Sequence, residues 1–245
     1  MTTRPTLTTA DFHSHLRGGG LFTMANQRGA AYFSLAAYRL GWAPTHLTLI
    51  NLFLGLSASA LVIGYAGPAA ESGWAWWPIA LAVTLMWQVA YMFDCADGQL
   101  ARATGTGSAA GARVDILCDV AIQASFVAAI VTVVHAYWPH TPVWISAAFA
   151  ALWMVNLVTS VLASSDTHDS LINNDSLPIR IAKLIRDFSF IIIVVGVALA
   201  LWPESLLGIM IFFGAVNGLF LLASIAVAAR KALRPAAVAS HDTGE

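Results

Sequence analysis

"FDCADGQLARATGTGSAAGARVDILCDV", residues 93–120, lies between two strongly apolar stretches of a 245-residue chain with only 10% charged residues, yet it holds four aspartates and two arginines. At helical spacing, Asp94, Asp97, Gly98 and Ala101 share one face before the glycine-rich turn, and Gly111, Asp115 and Asp119 share one face after it. Two carboxylate pairs can therefore confront each other across a short loop. For charges about 5 Å apart at an effective dielectric near 20, each pair costs on the order of 3 kcal/mol. Arg102 and Arg113 cannot neutralise four inward-pointing carboxylates. Bound cations can.

The solvent around this segment follows from composition. With 58% hydrophobic residues and a mean hydropathy of +0.73, the chain has more apolar surface than a soluble domain of its size could bury, so the class is integral membrane. Apolar runs long enough for about 30 Å of hydrocarbon are read at 46–67, 76–96, 112–137, 142–163, 187–202 and 205–229, separated by turn formers or polar clusters that include Pro68 to Gly73. The expectation is an all-α bundle of six transmembrane helices, with Leu21–Leu40, which carries Arg28 and Arg39, as an amphipathic interfacial helix. Its parts are an N-terminal arm with that helix at 1–45, a six-helix transmembrane bundle at 46–230 and a C-terminal tail at 231–245. The first twenty residues contain no apolar core of signal-peptide length.

All twelve lysines and arginines fall in the arm, the second-to-third loop, the fourth-to-fifth loop or the tail. The positive-inside rule then puts both termini and the aspartate segment in the cytoplasm, at the cytoplasmic membrane. Six of the nine tryptophans (Trp74, Trp76, Trp77, Trp138, Trp144 and Trp202) flank the opposite ends, as an aromatic belt would. Cys95 and Cys118 have no metal-binding spacing and would sit in a reducing compartment, as small packing residues.

Carboxylate oxygens, with no imidazole or thiolate on the same faces, select hard cations, and two pairs fit two bridged Mg²⁺ or Mn²⁺ ions. Such a pair of metals serves phosphoryl transfer. A single aspartate here would read as a helix cap; four at this spacing point to function. A cation or proton transporter would need its acids near the midplane or along a path, and a noncatalytic scaffold would not need four facing carboxylates.

Written as D-x2-D-G-x2-A-R-x8-G-x3-D-x3-D, the segment resembles the signature of the CDP-alcohol phosphotransferase family (CDP-alcohol phosphatidyltransferases), with every fixed position filled. Pro44, Leu47 and Thr48 at the start of the first span extend the likeness, although Thr45 stands where many relatives carry Asn. The resemblance implies that Asp94, Asp97, Asp115 and Asp119 hold two divalent cations, with Asp119 also taking the proton of the acceptor alcohol. It further implies that Asp97, Gly98, Ala101, Arg102 and Gly111 bind CDP, Arg102 meeting its phosphates. The reaction it implies is transfer of a substituted phosphate, most simply phosphatidyl from CDP-diacylglycerol, to a polar alcohol with release of CMP in phospholipid biosynthesis. The reverse arrangement, a CDP-linked polar alcohol with a lipid acceptor, is the alternative within the family. Homodimers are typical of the family, and Gly214 and Gly218 form a small-xxx-small pair suited to packing between chains or within one. No nucleic-acid partner is expected.

The acceptor is less legible. Arg180, Lys183 and Arg186, three apart, form a basic stripe suited to an acceptor phosphate, to anionic headgroups or merely to topology, and Arg113 is a further candidate contact. Gln88, Gln123, Asn156 and Asn217 within the spans are read as interhelical hydrogen-bonding groups or, less simply, as acceptor-pocket residues.

Overall fold

The apolar runs fold as helices whose ends are set by a handful of turn residues. The computed structural model describes residues 6–16, 20–165 and 187–233. In chain order these are α1 (Thr9–His13), α2 (Leu21–Leu40), α3 (Pro44–Ser72), α4 (Trp77–Thr104), α5 (Ala109–Tyr137), α6 (Val143–Ser165), α7 (Phe188–Leu201), a 3-10 turn (Pro203–Ser205) and α8 (Leu206–Ala232). Among the described residues there is no strand.

Among the described residues, four helical stretches, α3, α4, α5 and Pro203–Arg230, are long and apolar enough to cross a membrane. The other two expected spans are also apolar helices, but they offer only Val143–Thr159 and Phe188–Leu201 at this standard. One expected break is corrected. Helix α3 runs through Pro68 to Ser72 and stops at Gly73, where φ is +68°. Pro68 removes one backbone bond a single turn before the helix end, so little of the hydrogen-bond ladder depends on it.

Helix α3 packs on α4 and α5; α4 also contacts α2 and α7, while α6 pairs with α8 and joins the rest through α5. The larger core cluster surrounds Trp87 and Phe126, whose rings meet edge to face at 4.9 Å. Small residues permit the close approaches: a Cβ added at Gly55 would lie 2.9 Å from Ile122. Gly214 and Gly218 face Phe149 and Leu152 of α6, so the small-xxx-small pair is used inside the chain.

One member of the expected aromatic belt is corrected. Trp74, Trp77, Trp138, Trp144 and Trp202 are exposed, but Trp76 is buried, donating its indole N–H to the Tyr137 hydroxyl at 2.7 Å and packing edge-on against Tyr65. Helix α2 turns a polar and small-residue face inward. Asn26 bonds Gln88 (2.8 Å) and Ser189 (2.7 Å), and Ser34 donates to the Ala96 carbonyl and to Gln99. Tyr32, Leu21 and Leu40 stay exposed. Polar groups at a helix contact are stable when each finds a partner, as these do.

Asp187 links two helix starts. Its buried carboxylate accepts from the Ser189 and Phe190 amides as the N-cap of α7, and from the Thr23 amide (3.0 Å) and hydroxyl (2.8 Å) in the first turn of α2. Asp187→Ala is expected to lower stability by about 2 kcal/mol, since a cap is lost and buried donors are orphaned. Asp187→Asn, which still accepts at one oxygen, should lose less. Denaturant unfolding in detergent micelles checks this, and a change for Asp187→Ala within about 0.5 kcal/mol of zero contradicts the double cap.

Candidate active site

The turn between α4 and α5 builds the site. Gly105 ends α4 with φ +64°, a conformation that side chains disfavour, and the Ser108 hydroxyl then accepts from the Gly111 amide at 3.0 Å to start α5. This tight reversal sets the faces bearing Asp94 and Asp97 against those bearing Asp115 and Asp119. Asp94, Asp97 and Asp115 each bring a carboxylate oxygen into a group whose members lie within 4.8 Å of one another. Asp119 lies beyond that group of three but on the wall of the same cavity.

Helix α3 adds the third side. The Thr48 hydroxyl donates to Asp97 Oδ2 at 2.6 Å, and Asp97 is only 6% exposed. One carboxylate oxygen is thereby held toward α3.

The cavity, about 1000 Å³, is lined by Asp94, Asp97, Gly98, Ala101, Arg102, Gly111, Asp115 and Asp119, so every position of the signature reaches it. A Cβ added at Gly98 would lie 2.9 Å from Arg102 Nη1, so a side chain there would displace the guanidinium that folds back along the helix. Thr45, the departure from the family pattern, also lines the cavity, and its hydroxyl would lie 3.9 Å from a Cβ at Gly111.

Other expected residues stand elsewhere. Arg113 is exposed and is not among the lining residues. Arg180, Lys183 and Arg186 lie outside the described residues. Gln88 bonds Asn26 and Ser189, and Gln123 accepts from the Trp153 indole at 3.0 Å, in keeping with their interhelical reading. Asn217 is buried; neither it nor Asn156 lines the cavity.

Sequence reasoning missed several wall residues. Tyr91, Thr23 and Tyr38 line the cavity, with the Tyr91 and Thr23 hydroxyls 3.0 Å apart. Tyr91 precedes Asp94 by three positions and so shares its face, a signal the spacing already contained. Thr23 and Tyr38 are brought in by the docking of α2, which no local pattern announces.

The donor set fits hard divalent cations. Three carboxylates converge without an imidazole among the lining residues, and Cys95, which also reaches the cavity, stands outside the converging group. Like charges held this close require compensation.

Fold and site together define an integral membrane protein with a carboxylate-rich cavity where two long apolar helices reverse. The model of the CDP-alcohol phosphatidyltransferase family matches residues 42–229, and the chain belongs to that family. No curated protein gives a significant match to the sequence.

Proposed function

We propose that the protein transfers a phosphatidyl group from CDP-diacylglycerol to the hydroxyl of a polar alcohol, releasing CMP. The observation that carries this reading is the convergence of all eight signature residues on one cavity, three of their carboxylates lying within 4.8 Å of one another. A transport role finds less support, because these acids gather at one end of the bundle instead of marking a path across it.

Asp94, Asp97 and Asp115, with Asp119 completing the set, would hold two divalent cations, Mg²⁺ or Mn²⁺. When bound, such ions offset the charge of the donor pyrophosphate and of the phosphorus under attack. Thr48 fixes the rotamer of Asp97. Gly98, Ala101 and Gly111 keep the wall low enough for the nucleotide to approach the helix backbone, and Arg102 meets its phosphates. Asp119 takes the proton from the acceptor hydroxyl. The acceptor oxygen forms its bond to the phosphorus distal to cytidine, the bond from that phosphorus to the bridging oxygen breaks, and CMP carries away the electron pair.

In the same reading all six apolar helices cross the membrane, α2 lies at the interface, and both termini and the cavity face the cytoplasm. The distribution of basic residues supports that orientation, and the family resemblance supports a homodimer. The experiment is an acceptor panel in liposomes: purified protein, CDP-diacylglycerol, Mg²⁺ or Mn²⁺, and serine, glycerol phosphate, inositol or inositol phosphate, following CMP. Release that depends on one acceptor is the expected result. No release with any of them, but release from a CDP-linked polar alcohol supplied with a lipid acceptor, overturns the donor assignment.

The basic stripe gives a narrower expectation. If Arg180, Lys183 and Arg186 hold an acceptor phosphate, neutralising any one raises KM for the acceptor by about tenfold and leaves that for the CDP donor nearly unchanged. Equal KM values for variant and parent assign the stripe to topology or headgroups.

A further inference from the structure

The segment preceding α2 lies outside the residues that the family model matches, yet it forms part of the cavity. Leu7 contributes to the cavity wall and packs against the core cluster around Phe12. Helix α1 is only five residues long, too short to persist without support. Its support is tertiary. Phe12 is fully buried among Ala30, Ala37, Leu47 and Leu100, and its ring meets Tyr38, itself a wall residue, at 6.4 Å. His13 Nε2 lies 3.2 Å from the Arg28 carbonyl. The Thr8 amide and hydroxyl donate to the Asp11 carboxylate at 2.7 and 2.8 Å, which closes the first turn and holds the Asp11 carboxyl below the usual carboxylate range. Past the end of α1, the His15 carbonyl accepts from Arg102 Nη2 at 3.2 Å.

These contacts join the arm to one signature residue in particular. A guanidinium presents several N–H groups in a rigid fork, so fixing one of them to a carbonyl sets the direction of the others.

We propose that residues 7–15 form a strap across the nucleotide side of the cavity, anchored by Phe12, whose His15 carbonyl orients Arg102 toward the pyrophosphate of a CDP-linked substrate. This rests on the reading of Arg102 as a phosphate contact. Phe12 and His15 are positioning residues: neither need touch the reacting atoms. Leu7 adds to the wall built by α2, α3, α4 and α5, while His15 acts on it through Arg102.

A double-mutant cycle on the full-length protein in liposomes tests it, with KM for CDP-diacylglycerol, kcat, and calorimetric binding of CDP in Mg²⁺ as readouts. Phe12→Ala and Arg102→Ala should each raise the donor KM by about tenfold, kcat for Phe12→Ala staying within about threefold, and the double variant should be no worse than Arg102→Ala alone within about threefold. A merely structural anchor would lower the amount of folded protein without this shared loss. Should Phe12→Ala fail to fold, Phe12→Leu, which loses the ring contact with Tyr38 and so loosens the anchor without emptying its pocket, takes its place in the same cycle, with a smaller rise in donor KM expected. Multiplying effects, or a donor KM and CDP affinity unchanged in the Phe12 variant, overturn the strap. Asp97→Asn is measured alongside: if it too leaves CDP binding and cation dependence unchanged, the underlying site assignment fails, whereas its loss beside a silent Phe12 variant removes only the strap.

Discussion

Asp119→Asn is expected to lower CMP release by at least about 10² to 10⁴, the range that general base catalysis supplies. The substitution preserves shape and one oxygen that can accept a hydrogen bond, but the amide cannot take a proton from the acceptor hydroxyl. Asp119 lies on the cavity wall, outside the three carboxylates that converge within 4.8 Å. Donor binding should therefore suffer much less than turnover. Single-turnover CMP release and equilibrium binding of CDP separate the two quantities. A variant that keeps more than about a tenth of parental turnover removes the base assignment.

Asp97→Asn is expected to fail differently, with binding and cation dependence lost together. Thr48 donates to one carboxylate oxygen at 2.6 Å inside a nearly closed environment. An asparagine whose single oxygen accepts from Thr48 turns its NH₂ toward Asp94 and Asp115, where an oxygen is needed; the flipped amide, donating to the Thr48 hydroxyl, offers them only a neutral oxygen. The apparent affinity for Mg²⁺ or Mn²⁺, and that for CDP in their presence, should each fall by at least about tenfold. Thr48→Val, which frees the second oxygen of Asp97 without changing its charge, should give a smaller loss in the same direction. An Asp97→Asn variant with the parent's cation titration curve contradicts the metal-ligand role.

The carboxylate geometry is legible in the sequence because it is local. The face shared by Asp94 and Asp97, the face shared by Asp115 and Asp119, and the short glycine-containing turn between them follow from helical spacing alone. The six apolar helices were legible for the same reason, by length and composition. The rest depends on tertiary docking. Nothing in a polar arm marks Phe12 as an anchor, since a five-residue helix carries no periodicity. Arg28 and Arg39 mark the outer face of α2, but nothing local shows that Asn26 and Ser34 meet partners on α4 and α7 or that the Gln27 carbonyl accepts from Gln99. Trp76 resembled its neighbours in the belt and differs from them through one hydrogen bond to Tyr137. Pro68 looked like a stop, but a proline one turn before a helix end disturbs little.

On the proposed function, the facing aspartates form a cation-dependent site for transfer from a CDP-linked donor. Its most direct test is CMP release by the purified, liposome-reconstituted protein, stripped with EDTA and then titrated with Mg²⁺ or Mn²⁺ in the presence of CDP-diacylglycerol and the acceptor found by the panel. No release above background is expected after stripping, with full recovery on adding back either cation. CMP release that continues unchanged in EDTA would contradict it.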